Sequence, residues 1–225
     1  MLLTIGICVQ IKTIEDAKNT VGSSISDNSQ LKDEILRWKE KYDYAYRELE
    51  YAEKFLETSR KRATENDEES IALENELTLS NKLLGLTELK GTGVIVTLDD
   101  NREVTQESVG ILSLSSFLIH DGDLIQVVNE LRNAGAEAIS INDQRITHAT
   151  GILCDGNVVR INGKKIGAPF IIKAIGFPES LYYALEKPGG YMQILRQDGT
   201  IATVDKSDDI TISKYDGIYS YEYIR

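Results

Sequence analysis

Apolar residues recur at heptad spacing over one long stretch of the chain, residues 31 to 84. Steps of four and three residues from Leu31 define a seam in which only Ser59, Asn66, Ser70 and Ser80 are polar. The seam consists of Leu31, Ile35, Trp38, Tyr42, Ala45, Leu49, Ala52, Leu56, Ser59, Ala63, Asn66, Ser70, Leu73, Leu77, Ser80 and Leu84. Such a seam predicts one long helix that buries its apolar stripe in a coiled coil. The number and direction of the paired helices stay open.

After residue 90 the pattern changes to short apolar runs separated by turn residues. Val94–Leu98 is rich in β-branched residues and predicts a buried central strand, preceded by a turn at Gly91–Gly93. Residues 123–134 have apolar positions on one helical face, and Gly135 ends that helix. Ala138–Ile141 then predicts a second strand. The order strand, helix, strand indicates a parallel or split βαβ unit.

The remainder of the domain is predicted to be mainly antiparallel. Asp155-Gly156 and Asn162-Gly163 predict two tight hairpin turns within a meander. The further predicted elements are a strand at 170–175, helices at 178–185 and 191–195, and a closing hairpin with arms at 200–204 and 210–212. The fold class is therefore α+β, with a mainly antiparallel sheet, two or three helices and a ferredoxin-like split βαβ element.

The predicted organisation has five parts. They are an apolar start at 1–11, a linker or helix start at 12–30, the coiled-coil helix at 31–90, the α+β domain at 91–213 and a tail at 214–225. The apolar start is too short to span a bilayer, which takes about 18 or more apolar residues. Three interpretations compete for it: the end of a membrane helix, which is favoured, a short buried element, or a signal remnant.

Composition excludes some classes of function. The net charge is −11, and no dense basic patch is present, which argues against nucleic-acid binding. Cys8 and Cys154 lie in different segments and form neither a disulfide framework nor a metal-binding pair. The sequence has no P-loop, HExxH, GxSxG or EF-hand motif. We therefore predict no catalytic residues, no cofactor and no metal site.

One polar cluster is the strongest candidate for binding. His120, Asp121 and Asp123 stand together before the helix at 123–134. A histidine beside two carboxylates can bind a cation or transfer a proton. The favoured alternative is structural: one of the aspartates caps the helix and His120 bonds to the local backbone.

A second candidate follows the strand at 138–141. Asn142 and Arg145 stand at a strand end, and the planar guanidinium of Arg145 can hold a carboxylate or a phosphate. The favoured alternative is again structural, a loop fixed by side-chain hydrogen bonds. Cys154 is interpreted as a small strand residue rather than a nucleophile.

Many residues of the domain match a known pattern. They are Leu118–Asp121, Asp123–Leu124, Val128–Arg132, Ala134–Asn142, Gln144–Ile146, Cys154, Asn162–Gly163, Pro169 and Ala174–Gly176. In these positions the chain resembles the bacterial family called domain of unknown function 881. It departs from that family at Asp143, where a glycine is usual, which puts a tight turn there in question.

The resemblance implies an architecture rather than a reaction. Members have a membrane helix, a coiled coil and an α+β domain outside the membrane, and some are labelled division-initiation proteins. This chain is accordingly expected to be a single-pass membrane protein with an extracytoplasmic domain. The first hypothesis is a non-enzymatic, self-associating scaffold for protein partners in cell division or envelope assembly. The rival is a small-ligand sensor or enzyme whose site combines His120, Asp121, Asn142 and Arg145.

Overall fold

A computed structural model of the chain describes residues 2–64, 68–101, 118–219 and 222–223, with side chains described from Leu31 onward. The chain divides into two units, Met1–Glu74 and Asn75–Arg225. The first unit is helical and the second is an α+β domain.

The first unit contains the predicted long helix. Helix α1 runs from Leu2 to Thr64, and its 63 residues extend about 95 Å at about 1.5 Å per residue. It continues through residues 12–30, for which the sequence allowed either a linker or the start of the helix. Helix α2 follows from Glu68 to Leu83. The predicted continuity between the two helices falls on residues 65–67, which lie outside the described residues. Pairing of the seam with a second helix stays a prediction.

The expectation of a single-pass membrane protein is wrong. Across the helices that the structure describes, none combines the length and the apolar character needed to cross a bilayer. This finding does not test residues 1–11, whose interpretation as the end of a membrane helix stays a prediction.

The second unit is built on two antiparallel sheets, as the fold-class prediction requires. Strand bounds are β1 Leu89–Asp99, β2 Ala138–Ile141, β3 Gln144–Ile146, β4 Ile152–Asp155, β5 Val158–Ile161, β6 Lys164–Ile166, β7 Phe170–Ile175 and β8 Ile201–Ile212. The larger sheet has the order β3-β2-β7-β1-β8 and the smaller one β4-β5-β6. Because β7 is antiparallel to both β1 and β2, these two run parallel with β7 between them. This is the predicted split βαβ unit.

Three further helices of the domain lie in its described residues: α3 Asp121–Asn133, α4 Pro178–Leu185 and α5 Tyr191–Gln197. The main core joins one face of the larger sheet, through Val94, Val96 and Leu98, to apolar residues of all three helices. Helix α3 ends where Gly135 adopts a φ of 92° and the Ala136 N–H donates to the Leu131 carbonyl at 3.0 Å. Glycine is the residue that this left-handed position favours.

Two local predictions are wrong, and they fail for one reason. The predicted turn at Gly91–Gly93 lies inside β1, and the predicted closing hairpin is one strand, β8. Both strands pair along almost their whole length, and the register shifts once, where Gly91 opposes Ile210 and Gly93 opposes Ser207. The polar run at Ser207 is thus absorbed in a β-bulge instead of forming a turn.

Candidate functional site

The polar side chains before helix α3 form one connected group in the folded chain. We call His120, Asp121, Asp123, Cys154 and Tyr191 the α3 cap cluster. The residues come from the start of α3, from β4 and from the start of α5. The cluster therefore ties the smaller sheet and the last helix to the N-terminus of α3.

Cys154 and Asp121 exchange hydrogen bonds. The Asp121 N–H donates to the Cys154 sulfur at 3.3 Å, and the Cys154 N–H donates to the Asp121 Oδ2 at 2.9 Å. The Cys154 hydrogen bonds, led by that of its side chain, lower the pKa of Asp121. The pKa of the Cys154 thiol is raised, first by partial desolvation of the sulfur and then by the Asp121 carboxylate. His120 Nδ1 lies 3.8 Å from this sulfur.

A raised thiol pKa decides how this part of the cluster is interpreted. The thiolate is the nucleophile in cysteine chemistry, and catalytic cysteines have lowered pKa values. Here two carboxylates, those of Asp121 and Asp123, favour the protonated thiol. In the residues that the structure describes, no group of three or more His, Cys, Asp and Glu side chains is placed to hold a metal ion. The arrangement supports a structural tie better than a reactive centre.

Asp123 has a structural partner on each carboxylate oxygen. Oδ2 accepts from the His120 N–H at 2.6 Å, which caps the start of α3. Oδ1 accepts from the Tyr191 hydroxyl at 2.6 Å. Burial, and then this hydrogen bond to a carboxylate, raise the pKa of Tyr191. The sequence-based alternative that an aspartate caps the helix therefore describes the geometry.

Asn142 occupies a tight turn between β2 and β3. Asn142 and Asp143 have φ values of 44° and 62°, so the turn forms even though a glycine is absent from it. The Asn142 side chain fastens the turn to the start of β7: its amide donates to the Pro169 carbonyl at 3.0 Å, and its oxygen accepts from the Ile171 N–H at 2.8 Å. Both ends of the side chain serve the fold.

Arg145 is the most unusual of the predicted site residues. Its side chain is only 4 % exposed, and it is the one charged residue among the buried positions that the structure describes. Burial lowers the pKa of its guanidinium. Nη1 donates to the Thr87 carbonyl at 3.4 Å, which is longer than the usual range of about 2.7–3.2 Å. Arg145 also lines a pocket of about 80 Å³ in the second unit.

The structure divides the predicted site into two places. His120, Asp121 and Asp123 belong to the α3 cap cluster, whereas Asn142 and Arg145 belong to the β2–β3 hairpin and its end. No hydrogen bond or ion pair joins the two groups within the described residues. Sequence analysis missed the roles of Cys154 and Tyr191, because their partners are 33 and 68 residues away along the chain. The sequence carries no signal for such pairs.

Part of the chain is similar to known bacterial proteins. The chain is 35% identical over 127 residues to the UPF0749 protein YlxW of Bacillus subtilis, a match that covers 56% of this chain and 53% of that protein. It is 32% identical over 137 residues to the UPF0749 protein Rv1825 of Mycobacterium tuberculosis, covering 58% of this chain and 41% of that protein. The chain thus matches about half the length, or less, of these relatives.

A solved structure and a family model extend the comparison. The crystal structure of an uncharacterized conserved protein from Mycobacterium tuberculosis superposes with a TM-score of 0.54 at 27% identity, covering 67% of this chain and 98% of that one. The family model described as "Bacterial protein of unknown function (DUF881)" matches residues 76–225. This description names no activity. The chain belongs to the DUF881 family.

Proposed function

We propose that this chain is a non-enzymatic scaffold that self-associates through the heptad seam of α1 and presents its α+β domain to a protein partner. One observation carries the proposal: the large apolar residues of the seam are about half exposed. They are Leu31, Ile35, Trp38, Tyr42, Leu49 and Leu56. A run of exposed apolar side chains of this size is typical of an association surface.

Burial of the seam between paired helices contributes favourable free energy to association. Complete burial of a large apolar side chain stabilises by about 1.5–3 kcal/mol, and these side chains still have about half of their surface to bury. Burying several of them on each helix therefore contributes several kcal/mol to association. Outside the seam the helix carries many charged residues together with a few exposed apolar ones such as Leu36 and Tyr51.

The α3 cap cluster supports a role other than catalysis. Its carboxylate oxygens accept hydrogen bonds from Cys154, His120, Tyr191 and Gly122, which hold helices and sheets together. Burial and the Asp121 carboxylate raise the pKa of its thiol, which favours the protonated form. A domain with such internal ties presents a rigid surface, which suits docking of a partner.

Sedimentation velocity on the full chain tests self-association. The seam offers matched pairs of variants: Leu49→Glu against Leu36→Glu, and Tyr42→Glu against Tyr51→Glu. All four side chains are exposed by half or more, but only Leu49 and Tyr42 lie on the seam. We expect association in the wild type, its loss in the two seam variants and its retention in the two controls. A wild type that stays monomeric, or controls as disruptive as the seam variants, would refute the proposal.

We extend the proposal to a partner in cell division or envelope assembly, which the family resemblance alone supports. Deletion of the gene in its own bacterium should then lengthen the cells, and the wild-type gene should restore them. A Leu49→Glu gene should fail to restore cell length where Leu36→Glu succeeds. Unchanged cell length after deletion would remove the link to division without touching self-association.

A further inference from the structure

Arg145 is a buried positive charge in the second unit, and no carboxylate of the described residues pairs with it. Arg145 is 4 % exposed. Within the described part of the chain no carboxylate oxygen lies within 4.0 Å of its guanidinium, and its side chain donates only the long hydrogen bond to Thr87. A buried charge destabilises a protein unless an opposite charge or several hydrogen bonds compensate it. A guanidinium has five N–H donors, so most of this capacity remains for another group.

The backbone around Arg145 holds that charge in place. Its carbonyl accepts from Asn162 Nδ2 at 2.9 Å and from Thr150 Oγ1 at 3.3 Å. Gly85 lies beside the Arg145 side chain: a Cβ added there would be 3.4 Å from Arg145 Cγ and 3.6 Å from Nε, an ordinary van der Waals contact. The fixed backbone and the burial of the side chain limit the movement of the guanidinium.

The pocket beside Arg145 is small and carries charged groups. Arg132, Glu137 and Thr147 line it together with Arg145 and Gly85. Its volume of about 80 Å³ is small beside the roughly 300–1,000 Å³ of ordinary small-molecule pockets. This is room for a carboxylate group but not for a sugar or a nucleotide. Arg132 adds a second positive charge, whereas Glu137 disfavours ligands that carry more than one negative charge.

We propose that this pocket binds a singly charged carboxylate group, held by the planar fork of Arg145 and supported by Arg132. A guanidinium matches the two oxygens of a carboxylate with two parallel hydrogen bonds. Inorganic phosphate, which is larger and more highly charged near neutral pH, binds more weakly because of Glu137. The carboxylate belongs to a small acid or to the end of a peptide chain, and the chemistry at Arg145 is the same.

The test is a titration of the full chain with sodium acetate, followed by NMR through the Nε–Hε signals of its arginines, with sodium chloride at equal ionic strength as reference. We expect the Arg145 signal to shift saturably, with a dissociation constant in the millimolar range typical of so small a ligand. The signal of Arg160, which pairs with Asp155 outside the pocket, should not shift with it. No saturable shift at Arg145, or equal shifts at both arginines, would overturn the proposal.

Variants and further ligands sharpen the result. Glu137→Gln should tighten acetate binding about threefold, because it removes a competing charge; unchanged or weaker binding contradicts an anion at this position. Arg145→Met should abolish binding, and Arg160→Met should not. If Arg145→Met does not fold, the titration of the wild type still tests the proposal.

Tighter binding of phosphate than of acetate would overturn the carboxylate assignment. If N-acetylglycine binds more tightly than acetate, and N-acetylglycinamide, which lacks the carboxylate, does not bind, the source is a peptide terminus. If acetate binds more tightly than N-acetylglycine, the source is a small acid.

Discussion

Cys154 and Asp121 are 33 residues apart in the chain and donate backbone hydrogen bonds to each other's side chains. This reciprocal pair connects β4 of the smaller sheet to the first residue of helix α3. Both pKa values are shifted: burial and then the Asp121 carboxylate raise the pKa of the Cys154 thiol, and the Cys154 hydrogen bonds lower the pKa of Asp121. The pair is a structural tie with a measurable chemical signature.

The first prediction concerns the reactivity of this thiol. Asp121→Asn keeps an oxygen acceptor for the Cys154 N–H but removes the negative charge, so the pKa of Cys154 falls. Alkylation by iodoacetamide at neutral pH, measured in a Cys8→Ser background, should accelerate on the order of 3–10-fold. Asp155→Asn is the charge-matched control, since that carboxylate pairs with Arg160 and Lys165. Equal rates in the two variants would contradict the assignment.

The second prediction concerns Tyr191 and Asp123. Tyr191→Phe removes a hydrogen bond to a partly buried carboxylate and should lower the free energy of unfolding by about 1 kcal/mol at pH 7. Tyr183→Phe, at an exposed tyrosine, is the control and should change little. Urea unfolding measures both.

The same hydrogen bond gives a pH dependence of known sign. The pKa of Tyr191 is raised in the folded chain, so the folded state keeps the proton at pH values where the unfolded chain loses it. The contribution is complete below the ordinary tyrosine pKa of about 10 and decreases as the pH rises above it. The stability difference between wild type and Tyr191→Phe should therefore shrink above about pH 10. A difference that grows there would contradict the geometry.

The third prediction concerns the turn at Asp143. Its φ of 62° is left-handed, a conformation that glycine adopts freely and alanine does not. Asp143→Gly and Asp143→Ala both remove the exposed ion pair with Lys173, so their comparison isolates the backbone. The glycine variant should be more stable by about 1 kcal/mol in urea unfolding. An alanine variant of equal stability would show that the turn is not left-handed in solution.

The fourth prediction concerns the contact between β1 and β7. A Cβ added at Gly93 would lie 1.9 Å from the Ala174 carbonyl oxygen, which is backbone and cannot move aside cheaply. Gly93→Ala should therefore destabilise by more than about 3 kcal/mol or prevent folding. Gly122, in the first turn of α3, has nothing within 4 Å of an added Cβ. Gly122→Ala should be neutral or slightly stabilising. Thermal unfolding of both variants measures the difference. A large loss of stability in Gly122→Ala, or no loss in Gly93→Ala, would contradict the packing.

Local patterns predicted the elements of this domain well. The apolar run Val94–Leu98 predicted a central strand and lies in β1, inside the larger sheet, and the helical spacing predicted the apolar face of α3. The split βαβ order follows from those elements and the connection rules. The turn between β4 and β5 lies at Gly156-Asn157, one residue after the predicted Asp155-Gly156.

Features that depend on long-range pairing were not predicted from the sequence. The polar residues at 207–209 have the composition of a turn, but pairing with β1 keeps them in a strand and places the irregularity in a bulge. Sequence analysis grouped His120, Asp121 and Asp123 of the α3 cap cluster. It missed Cys154 and Tyr191, because these two residues reach the cluster only through the tertiary fold. Arg145 was singled out for its chemistry, but the sequence did not predict that this residue is buried in the β2–β3 hairpin.

Trp38 gives the most direct measurement of the proposed self-association. It is the only tryptophan of the sequence, it lies on the heptad seam, and 63 % of it is exposed in a single chain. The account predicts that Trp38 fluorescence is blue-shifted and shielded from acrylamide at concentrations where the chain associates, and that dilution or Leu49→Glu exposes it. Emission of a solvent-exposed indole at every concentration, identical in wild type and Leu49→Glu, would contradict the account.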